Sequence, residues 1–325
     1  MSQGIGNLDP VQLVTISLTT DAATIQASFN PLGARQVSLT HNGRNALQPY
    51  DLSQTPPFAT GFVMAPWANR MRDGIWTDDY GITHANPVNE ARTNTALHGL
   101  LMDTVYKVTA QSESEVTFSA MLSPTDGYPF EVATSITYRL TQDGLEVTQT
   151  AVNYSASPAP YQTGAHPYPF IDGLATADLE IKVPASHWWQ VDDRLLPIGV
   201  VPVDGSVQDA REWRRLGDYC IDNGYVNLHR DADGLFRITI RAGEASGDTR
   251  QIAVWQDANF PQVHVFSTPL YPQLGAVIGD GNSQHGITIE PVTAGPDAFN
   301  TGVDLIWLSP EEAWEGRWGI QLLNW

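Results

Sequence analysis

Basic residues are scarce in this chain of 325 residues. Lysine and arginine together number 17 against 36 aspartate and glutamate residues, which gives a formal net charge of -19 at pH 7. A surface with this excess of negative charge repels phosphate backbones and anionic membranes. We therefore expect no nucleic acid and no membrane as a partner, and the same charge also serves to keep the protein soluble.

Cysteine and long apolar runs are also missing. Cys220 is the only cysteine, so no internal disulfide can form, and this fits a reducing compartment. No run of about 18 apolar residues occurs, so we expect no membrane span. The opening residues, MSQGIGNLDPVQL, have neither the basic segment nor the apolar core of a secretory signal. Together these absences predict a cytoplasmic protein.

Several familiar catalytic motifs are absent as well. The chain has no G-x-S-x-G elbow, no P-loop and no G-x-G-x-x-G after a strand. No His-x-x-x-His pair indicates a metal site, so we expect no metal. Nothing in the surrounding sequence marks Cys220 as a nucleophile.

Alternation of apolar and polar residues predicts β-strands along most of the chain. Period-2 stripes lie at residues 14–18, 23–29, 132–140, 179–183, 236–240 and 252–254. Turn signals separate such stripes: NPLG at 30–33, HNGR at 41–44, PTDGYP at 124–129 and DADG at 231–234. The only helical turn predicted is at SPEEAWEG, with Ser309 as N-cap and Pro310 in the first helical position. The sequence thus predicts an all-β fold, a single large antiparallel β-sandwich that forms one domain over residues 1–325.

Polar residues in unusual settings are the candidates for chemistry. In APWANRMRDGIW, Asn69 and Arg70 place an amide beside a fork of donors that could hold sugar hydroxyls or a carboxylate, or Arg70 could pair with an acid of the fold. His98 lies in ALHGL, where a buried structural histidine is the alternative. His166 lies in TGAHPYPF, where two prolines would hold the imidazole in one direction, as a general acid requires.

Two acidic residues complete the set of candidates. Asp222 precedes Asn-Gly in CIDNGYVNL, which by itself indicates the tip of a hairpin. In ITIEPVTAGPDAFN, Ile287 and Ile289 alternate with Thr288 and Glu290 before a proline. We expect Glu290 to be held rigidly at the mouth of a strand and to be open to a cleft, with Pro291 preventing the backbone from closing over it.

The ordered set APWANR, LHG, GAHPYPF, IDNGY and ITIEP…PDAFN resembles the aldose 1-epimerase family, the galactose mutarotases. The resemblance runs from about residue 30 to the end, and it implies a very large antiparallel β-sandwich. By this resemblance Glu290 is the general base and His166 the general acid. The residues implied as substrate contacts are Asn69, Arg70, His98, Tyr168, Asp222 and His264.

The chain departs from the family pattern in its pocket lining. Trp67 stands before Ala-Asn-Arg where several members have phenylalanine. His264 stands where some members have a glutamine on a late strand, and Asn223 stands where a histidine often follows the aspartate. These differences leave the preferred sugar open but not the reaction class. Aromatic side chains can stack on sugars, and the tryptophans considered for this are Trp67, Trp76, Trp188 and Trp189, with core packing as the alternative for most of them.

The implied reaction opens and recloses a sugar ring without redox chemistry or group transfer, so no cofactor is expected. Glu290 takes the proton of the C1 hydroxyl and His166 protonates the ring oxygen. We expect the pKa of His166 to lie at or above its ordinary value of about 6.5, raised by Asp222 or Glu290.

Three functions remain open from the sequence: a mutarotase of free hexoses, a hexose-6-phosphate 1-epimerase, and a non-catalytic carbohydrate-binding protein. A phosphate site needs clustered basic residues, and the chain has only Lys107, Lys182 and few arginines near the motifs beyond Arg70 and Arg72. A binding module would not need His166 and Glu290 together. The partner in every case is a small sugar, and the protein is predicted to be a monomer or a homodimer.

Overall fold

Strands form about half of the chain in the computed structural model, which describes residues 12–218 and 220–325. Residues 1–11, which make up most of the N-terminal segment expected to lack a secretory signal, lie outside the described residues. The strands are β1 (Val14–Thr19), β2 (Thr24–Asn30), β3 (Arg35–His41), β4 (Arg44–Asn45), β5 (Val63–Met64), β6 (Arg70–Arg72), β7 (Ile75–Thr77), β8 (Thr83–Ala85), β9 (Thr95–Leu97), β10 (Lys107–Gln111), β11 (Glu115–Leu122), β12 (Val132–Thr141), β13 (Gly144–Asn153), β14 (Ala159–Tyr161), β15 (Gly164–Ala165), β16 (Leu179–Lys182), β17 (Ala185–Val191), β18 (Pro197–Pro202), β19 (Arg214–Arg215), β20 (Asp222–Leu228), β21 (Phe236–Ala242), β22 (Gln251–Gln256), β23 (Gln262–Pro272), β24 (Ser283–Val292), β25 (Ile306–Leu308) and β26 (Ala313–Leu323).

Helical structure is confined to short pieces. The only α-helix among the described residues is α1 (Ala298–Thr301). Single turns of 3-10 helix occur at Pro57–Ala59, Thr176–Asp178, Leu216–Asp218 and Glu244–Ser246. No helix in residues 12–218 and 220–325 is long and apolar enough to cross a membrane.

Two large antiparallel sheets form the sandwich. One has nine strands in the order β10-β11-β12-β13-β26-β22-β21-β16-β19, and the other has seven in the order β18-β17-β20-β23-β24-β15-β5. Side chains from both sheets share one hydrophobic core, for example Val147 and Ile320 from the first and Val263 and Ile289 from the second. Burying each such side chain contributes roughly 1.5–3 kcal/mol. The predicted all-β antiparallel sandwich is confirmed.

The alternating stripes are strands because their apolar side chains all point toward this core. In β2 the apolar Ile25, Ala27 and Phe29 are buried. The stripes predicted at residues 14–18, 132–140, 179–183, 236–240 and 252–254 coincide with β1, β12, β16, β21 and β22. The HNGR signal joins β3 to β4 as a hairpin, with Asn42 and Gly43 at positive φ.

The helix predicted at SPEEAWEG is wrong. Glu311 has a φ of 64°, in the left-handed region, which cannot continue a right-handed helix. The Ser309 N–H donates to the Glu312 carboxylate, and β26 begins at Ala313. Tertiary pairing decides this segment, because β26 is hydrogen-bonded to β13 on one side and β22 on the other.

The expectation that Asp222 lies at a hairpin tip is also wrong. Asp222 is the first residue of β20 and is opposite Phe266 of β23. Gly224 lies inside the strand, where a Cβ atom would stand 3.1 Å from the Trp189 ring. The Asn-Gly pair is therefore a place of close packing between strands and not a turn.

The strand that carries Glu290 continues further than the sequence predicts. β24 runs to Val292, so that Pro291 lies opposite Val263 within the sheet. Ile287 and Ile289 point into the core, as their alternation predicts. Glu290 points to the other face, but it is only 1% exposed and lies on the floor of a cavity and not at an open strand mouth.

Candidate active site

A cavity of about 430 Å³ opens on the face of the seven-stranded sheet that points away from the core. Three adjacent strands of that sheet, β20, β23 and β24, supply its floor, and β6 with the segments around it supplies a wall. The polar side chains that line it include seven predicted from the sequence: Asn69, Arg70, His98, His166, Asp222, His264 and Glu290. Residues far apart in the sequence thus meet at one site.

Glu290 is the most deeply buried acid of this cavity. Its Oε1 lies 3.3 Å from His166 Nε2, and its Oε2 has no hydrogen-bond partner among the described residues. Burial raises the pKa of Glu290 to about 7, against the opposing effect of the His264 charge. A carboxyl group with a pKa close to neutrality can both accept and release a proton at physiological pH.

His166 follows β15 and is fixed by its backbone. Its N–H donates to the Phe62 carbonyl and its carbonyl accepts from the Gly61 N–H, both at 2.9 Å. Burial lowers the pKa of His166 to about 3, and the nearby His264 charge acts in the same direction. The expectation of a pKa at or above the ordinary value is wrong for the free protein, because the cost of burying a cation outweighs the attraction of the carboxylates.

Asn69 and His98 are joined by two hydrogen bonds. The Asn69 N–H donates to His98 Nδ1 at 3.2 Å, and the His98 N–H donates to the Asn69 carbonyl at 3.0 Å. Burial lowers the pKa of His98 well below its usual value. Gly99 is required after it, since a Cβ there would stand 2.1 Å from the Ala65 carbonyl oxygen at a φ of +80°. His98 is therefore a neutral residue of the cavity wall.

Arg70 makes an ion pair that the sequence left open. Its Nε and Nη2 donate to the two carboxylate oxygens of Glu90 at 2.7 and 2.9 Å. Burial tends to raise the pKa of Glu90, but hydrogen bonds from Arg70 and Thr93 outweigh it and lower the pKa to about 2. Arg70 is thus both a structural partner of an acid and a lining residue, with Nη1 not engaged by Glu90.

Asp222 and His264 form a second pair on adjacent strands. His264 Nε2 donates to Asp222 Oδ1 at 2.8 Å. Burial alone would lower the pKa of His264, but the charge of Glu290 and the hydrogen bond and charge of Asp222 raise it. For Asp222 burial acts to raise the pKa, and the His264 interaction lowers it instead. Each partner therefore favours the charged form of the other.

Tyr168 and the four tryptophans lie outside the cavity lining. Tyr168 is buried behind the wall, where its ring stacks on His166 and its hydroxyl donates to the Phe58 carbonyl at 3.2 Å. Trp67 and Trp76 belong to the core, and the partly buried Trp188 packs against it. Trp189 donates its indole N–H to Gln262. The aromatic surface of the cavity comes from Phe58 and Phe266, whose centroids are 5.9 Å apart.

Further lining residues were missed by the sequence analysis. They are Phe58, Ala59, Asn89, Glu90, Arg92, Leu97, Met102 and Phe266. The one sequence signal for Glu90 was the rule that a buried arginine pairs with an acid. This rule could not identify Glu90 among 36 acidic residues. Among residues 12–218 and 220–325, no three His, Cys, Asp or Glu side chains are grouped to hold a metal ion.

The fold and the cavity define a class: a large antiparallel β-sandwich with a buried carboxylate and imidazole in contact on the floor of a polar cleft. Residues 15–321 match the model of the aldose 1-epimerase family, and the chain belongs to this family. An epimerase is an isomerase, so the family places the chain in that enzyme class.

The chain is also similar to several curated proteins and solved structures. The chain is 27% identical over 295 residues to Uncharacterized protein YihR of Escherichia coli K12, covering 90% of this chain and 88% of the relative. It is 33% identical over 179 residues to galactose mutarotase of Rattus norvegicus, covering 52% and 49%. A crystal structure of a GalM/aldose epimerase homologue from C. elegans has the same fold, with a TM-score of 0.80 at 19% identity over 96% and 99% of the two chains.

Proposed function

We propose that this protein is a mutarotase that interconverts the α and β anomers of a free hexose. The contact of 3.3 Å between Glu290 and His166 on the floor of the cavity carries this proposal. Ring opening of a cyclic sugar requires one group to remove a proton and another to supply one, and each such positioned transfer contributes roughly 10²–10⁴-fold to the rate.

The reaction balances with these two residues alone. Glu290 removes the proton of the C1 hydroxyl while His166 protonates the ring oxygen, and the bond between C1 and the ring oxygen breaks. The resulting aldehyde rotates about the C1–C2 bond. The ring closes on the other face of the carbonyl as Glu290 returns its proton and His166 recovers one from the C5 hydroxyl.

The catalytic cycle requires one proton in total on the Glu290–His166 pair. The pKa of Glu290 is about 7 and that of His166 is about 3. Between about pH 3 and pH 7 the free pair therefore holds one proton, and this proton is on the carboxyl group. Catalysis requires that proton on His166, so sugar binding must favour its transfer between two groups that already touch. We propose that hydroxyl hydrogen bonds to the ionised carboxylate provide this preference.

The remaining lining residues would bind the sugar. Asn69, His98 and Asp222 offer hydrogen-bond donors and acceptors to hydroxyl groups, and Arg70 offers donors not used by Glu90. Phe58 and Phe266 form an apolar surface suited to the C–H face of a sugar ring. We propose that no metal or other cofactor takes part, and we expect EDTA to leave the rate unchanged; loss of activity restored by a divalent ion would contradict this.

Optical rotation tests the function directly. Freshly dissolved α-glucose and α-galactose approach anomeric equilibrium slowly, and the protein is expected to accelerate this in proportion to its concentration. The matched control is Glu290→Gln at the same concentration. Equal rates with the wild type, the variant and buffer would leave a non-catalytic carbohydrate-binding protein as the better account.

A hexose-6-phosphate is the second candidate substrate, and one observation favours it. Arg92 lines the cavity with its side chain 67% exposed, and its nearest acid is Glu90 at 3.8 Å. An arginine so weakly paired at the rim can contact an anionic group of a ligand. A comparison of free and phosphorylated sugars, described below, separates the two candidates.

A further inference from the structure

Glu290 needs a cation close to it to work as a base. It is 1% exposed, and one of its oxygens has no hydrogen-bond partner among the described residues. A carboxyl group desolvated to this degree would keep its proton well above neutral pH unless a nearby positive charge favours the ionised form. The question is which cation of the cavity does this.

The charged and titratable groups that face Glu290 come from several elements. They are His166 and Tyr168 beyond β15, His98 beyond β9, Asp222 of β20, His264 of β23, and Arg70 of β6 with its partner Glu90. In the free protein burial lowers the pKa of His98 and His166, so both imidazoles are neutral there, and burial raises the pKa of Tyr168. The charge of Arg70 is largely cancelled by its bidentate pair with Glu90.

The sheet register puts His264 next to Glu290. The two residues are directly opposite each other on the antiparallel strands β23 and β24, so their side chains share a face with Cβ atoms about 4.5–5.5 Å apart. On the other side His264 is opposite Gly224 of β20. Asp222 lies two residues before Gly224 and therefore on the same face, where it accepts the 2.8 Å hydrogen bond from His264 Nε2.

We propose that His264, held by Asp222, is a positioning residue that acts on the reaction through Glu290, as the positively charged counter-ion of its carboxylate. The proposal rests on the mutarotase function for its catalytic meaning. The raised pKa of His264 is consistent with an imidazolium between two carboxylates.

The second ring nitrogen gives the competing description. His264 Nδ1 lies 3.4 Å from the Asn69 amide nitrogen, beyond the usual 2.7–3.2 Å of a hydrogen bond. A neutral His264 would accept there from the Asn69 amide, whereas an imidazolium would place its Nδ1–H opposite that amide, which is itself a donor. The protonation state of this one ring therefore decides between a counter-ion and a neutral bridge.

Titrations of the free protein test the proposal without any turnover. Imidazole ¹⁵N shifts are expected to show His264 charged at pH 6 and titrating above its ordinary pKa, and Asp222→Asn is expected to lower that pKa. The variant His264→Gln keeps hydrogen-bonding groups but removes the charge. In this variant the Glu290 carboxyl group is expected to titrate about one pH unit higher than in the wild type. Its signal is assigned by comparison with Glu290→Gln. His285→Gln, the same change lower on β24, is the matched control and should leave it unchanged.

Turnover adds a readout that a purely structural role would not move. With His264→Gln the alkaline limb of kcat/KM is expected to shift to higher pH, so that the variant retains about tenfold more of its own maximal activity above pH 8 than the wild type does. A neutral His264 across the pH range, or an unchanged Glu290 titration in His264→Gln, would overturn the proposal. If both titrations behave as expected but no protein accelerates mutarotation, the counter-ion stands and the proposed function fails.

Discussion

Glu290 is buried and Glu90 is partly buried, and their environments act in opposite directions on their ionisation. Burial raises the pKa of Glu290 to about 7, while Glu90, although burial opposes it, has a pKa of about 2 because Arg70 and two threonines donate to it. The unfolded chain exposes both to water, where a glutamate has a pKa of about 4.3. Glu290 is therefore destabilising when ionised, and Glu90 is stabilising.

Glu290→Gln is expected to lose at least about 10²-fold in kcat and to gain stability at alkaline pH. Since the folded pKa of Glu290 is raised, its favourable contribution is complete below the unfolded pKa and is lost as the pH rises through about 7. The free energy of unfolding in urea should thus exceed that of the wild type by up to about 3 kcal/mol at pH 8 and by little at pH 4.

Glu90→Gln is the matched control and should have the opposite sign at pH 8. Its depressed pKa means that its contribution to stability is present above the unfolded pKa and is lost as the pH falls through about 2. A Glu290→Gln variant that is destabilised at pH 8 would show that burial does not disfavour the carboxylate, and one that keeps wild-type turnover would show that Glu290 is not the base.

His166→Asn is expected to reduce kcat much more than it changes KM. Asparagine can hydrogen-bond to a sugar but cannot shuttle a proton at neutral pH. In the wild type the pair should give a bell-shaped kcat/KM profile that falls above about pH 7 and below about pH 3, and the variant should lose this shape. An unchanged kcat with a raised KM would make His166 a binding residue only.

At the scale of elements, the turn after β24 is fastened to the strand that carries Arg70. The Asp297 N–H donates to the Arg70 carbonyl at 2.6 Å, and its buried carboxylate accepts from the Arg72 N–H at 2.9 Å and from the Asn300 side chain at 2.7 Å. Because β24 carries Glu290 and β6 begins at Arg70, Asp297 fixes the base relative to the wall of the cavity.

Asp297→Ala is expected to destabilise the protein by about 1–3 kcal/mol, because the Arg72 N–H loses its acceptor in a partly buried position. Asp297→Asn should cost less, since asparagine keeps an acceptor and tolerates the φ of 57° at this position. Urea unfolding measures both, and KM for the sugar should rise in the same order. Asp21→Ala, on the exposed turn between β1 and β2, is the control, and equal effects of all three changes would contradict the role of Asp297.

At the scale of the whole molecule, the net charge opposes anionic substrates while the cavity rim contains a cation. The formal charge of -19 slows the approach of a dianion, and Arg92 at the rim would attract one only at short range. We expect kcat/KM for free glucose or galactose to exceed that for its 6-phosphate. The measurement uses both substrates in one buffer at two salt concentrations.

Arg92→Gln serves this comparison as a test of the rim. The variant should keep kcat/KM for the free sugar within about threefold of the wild-type value, because the exposed Arg92 side chain contributes little to the binding of a neutral ligand. Arg44→Gln, an exposed change on β4 outside the cavity lining, is the matched control. A higher kcat/KM for the phosphate that falls with salt and is lost in Arg92→Gln alone would favour the hexose-6-phosphate candidate.

Local sequence determined those features of the protein that depend on neighbouring residues. Alternation in stripes such as 132–140 specifies which side chains of a strand are buried, so β12 and the antiparallel sandwich could be predicted. The ordered motifs also named the seven polar residues that share the cavity, although their individual catalytic and binding roles remain predictions. The single-domain organisation and the cytoplasmic location likewise remain predictions.

Only the tertiary structure decided features that depend on strand pairing and burial. Because β24 pairs with β23, the strand continues beyond Pro291 to Val292. Because β26 pairs with β13 and β22, SPEEAWEG forms a turn before a strand, although local signals favoured a helix. The pKa of His166 fell because burial, which no local pattern states, outweighs the carboxylates beside it. Likewise, the partner of Arg70 and the neighbour of Glu290 are set by register across strands, since contacts between residues 20 and 26 positions apart follow from the three-dimensional fold and not from chain order.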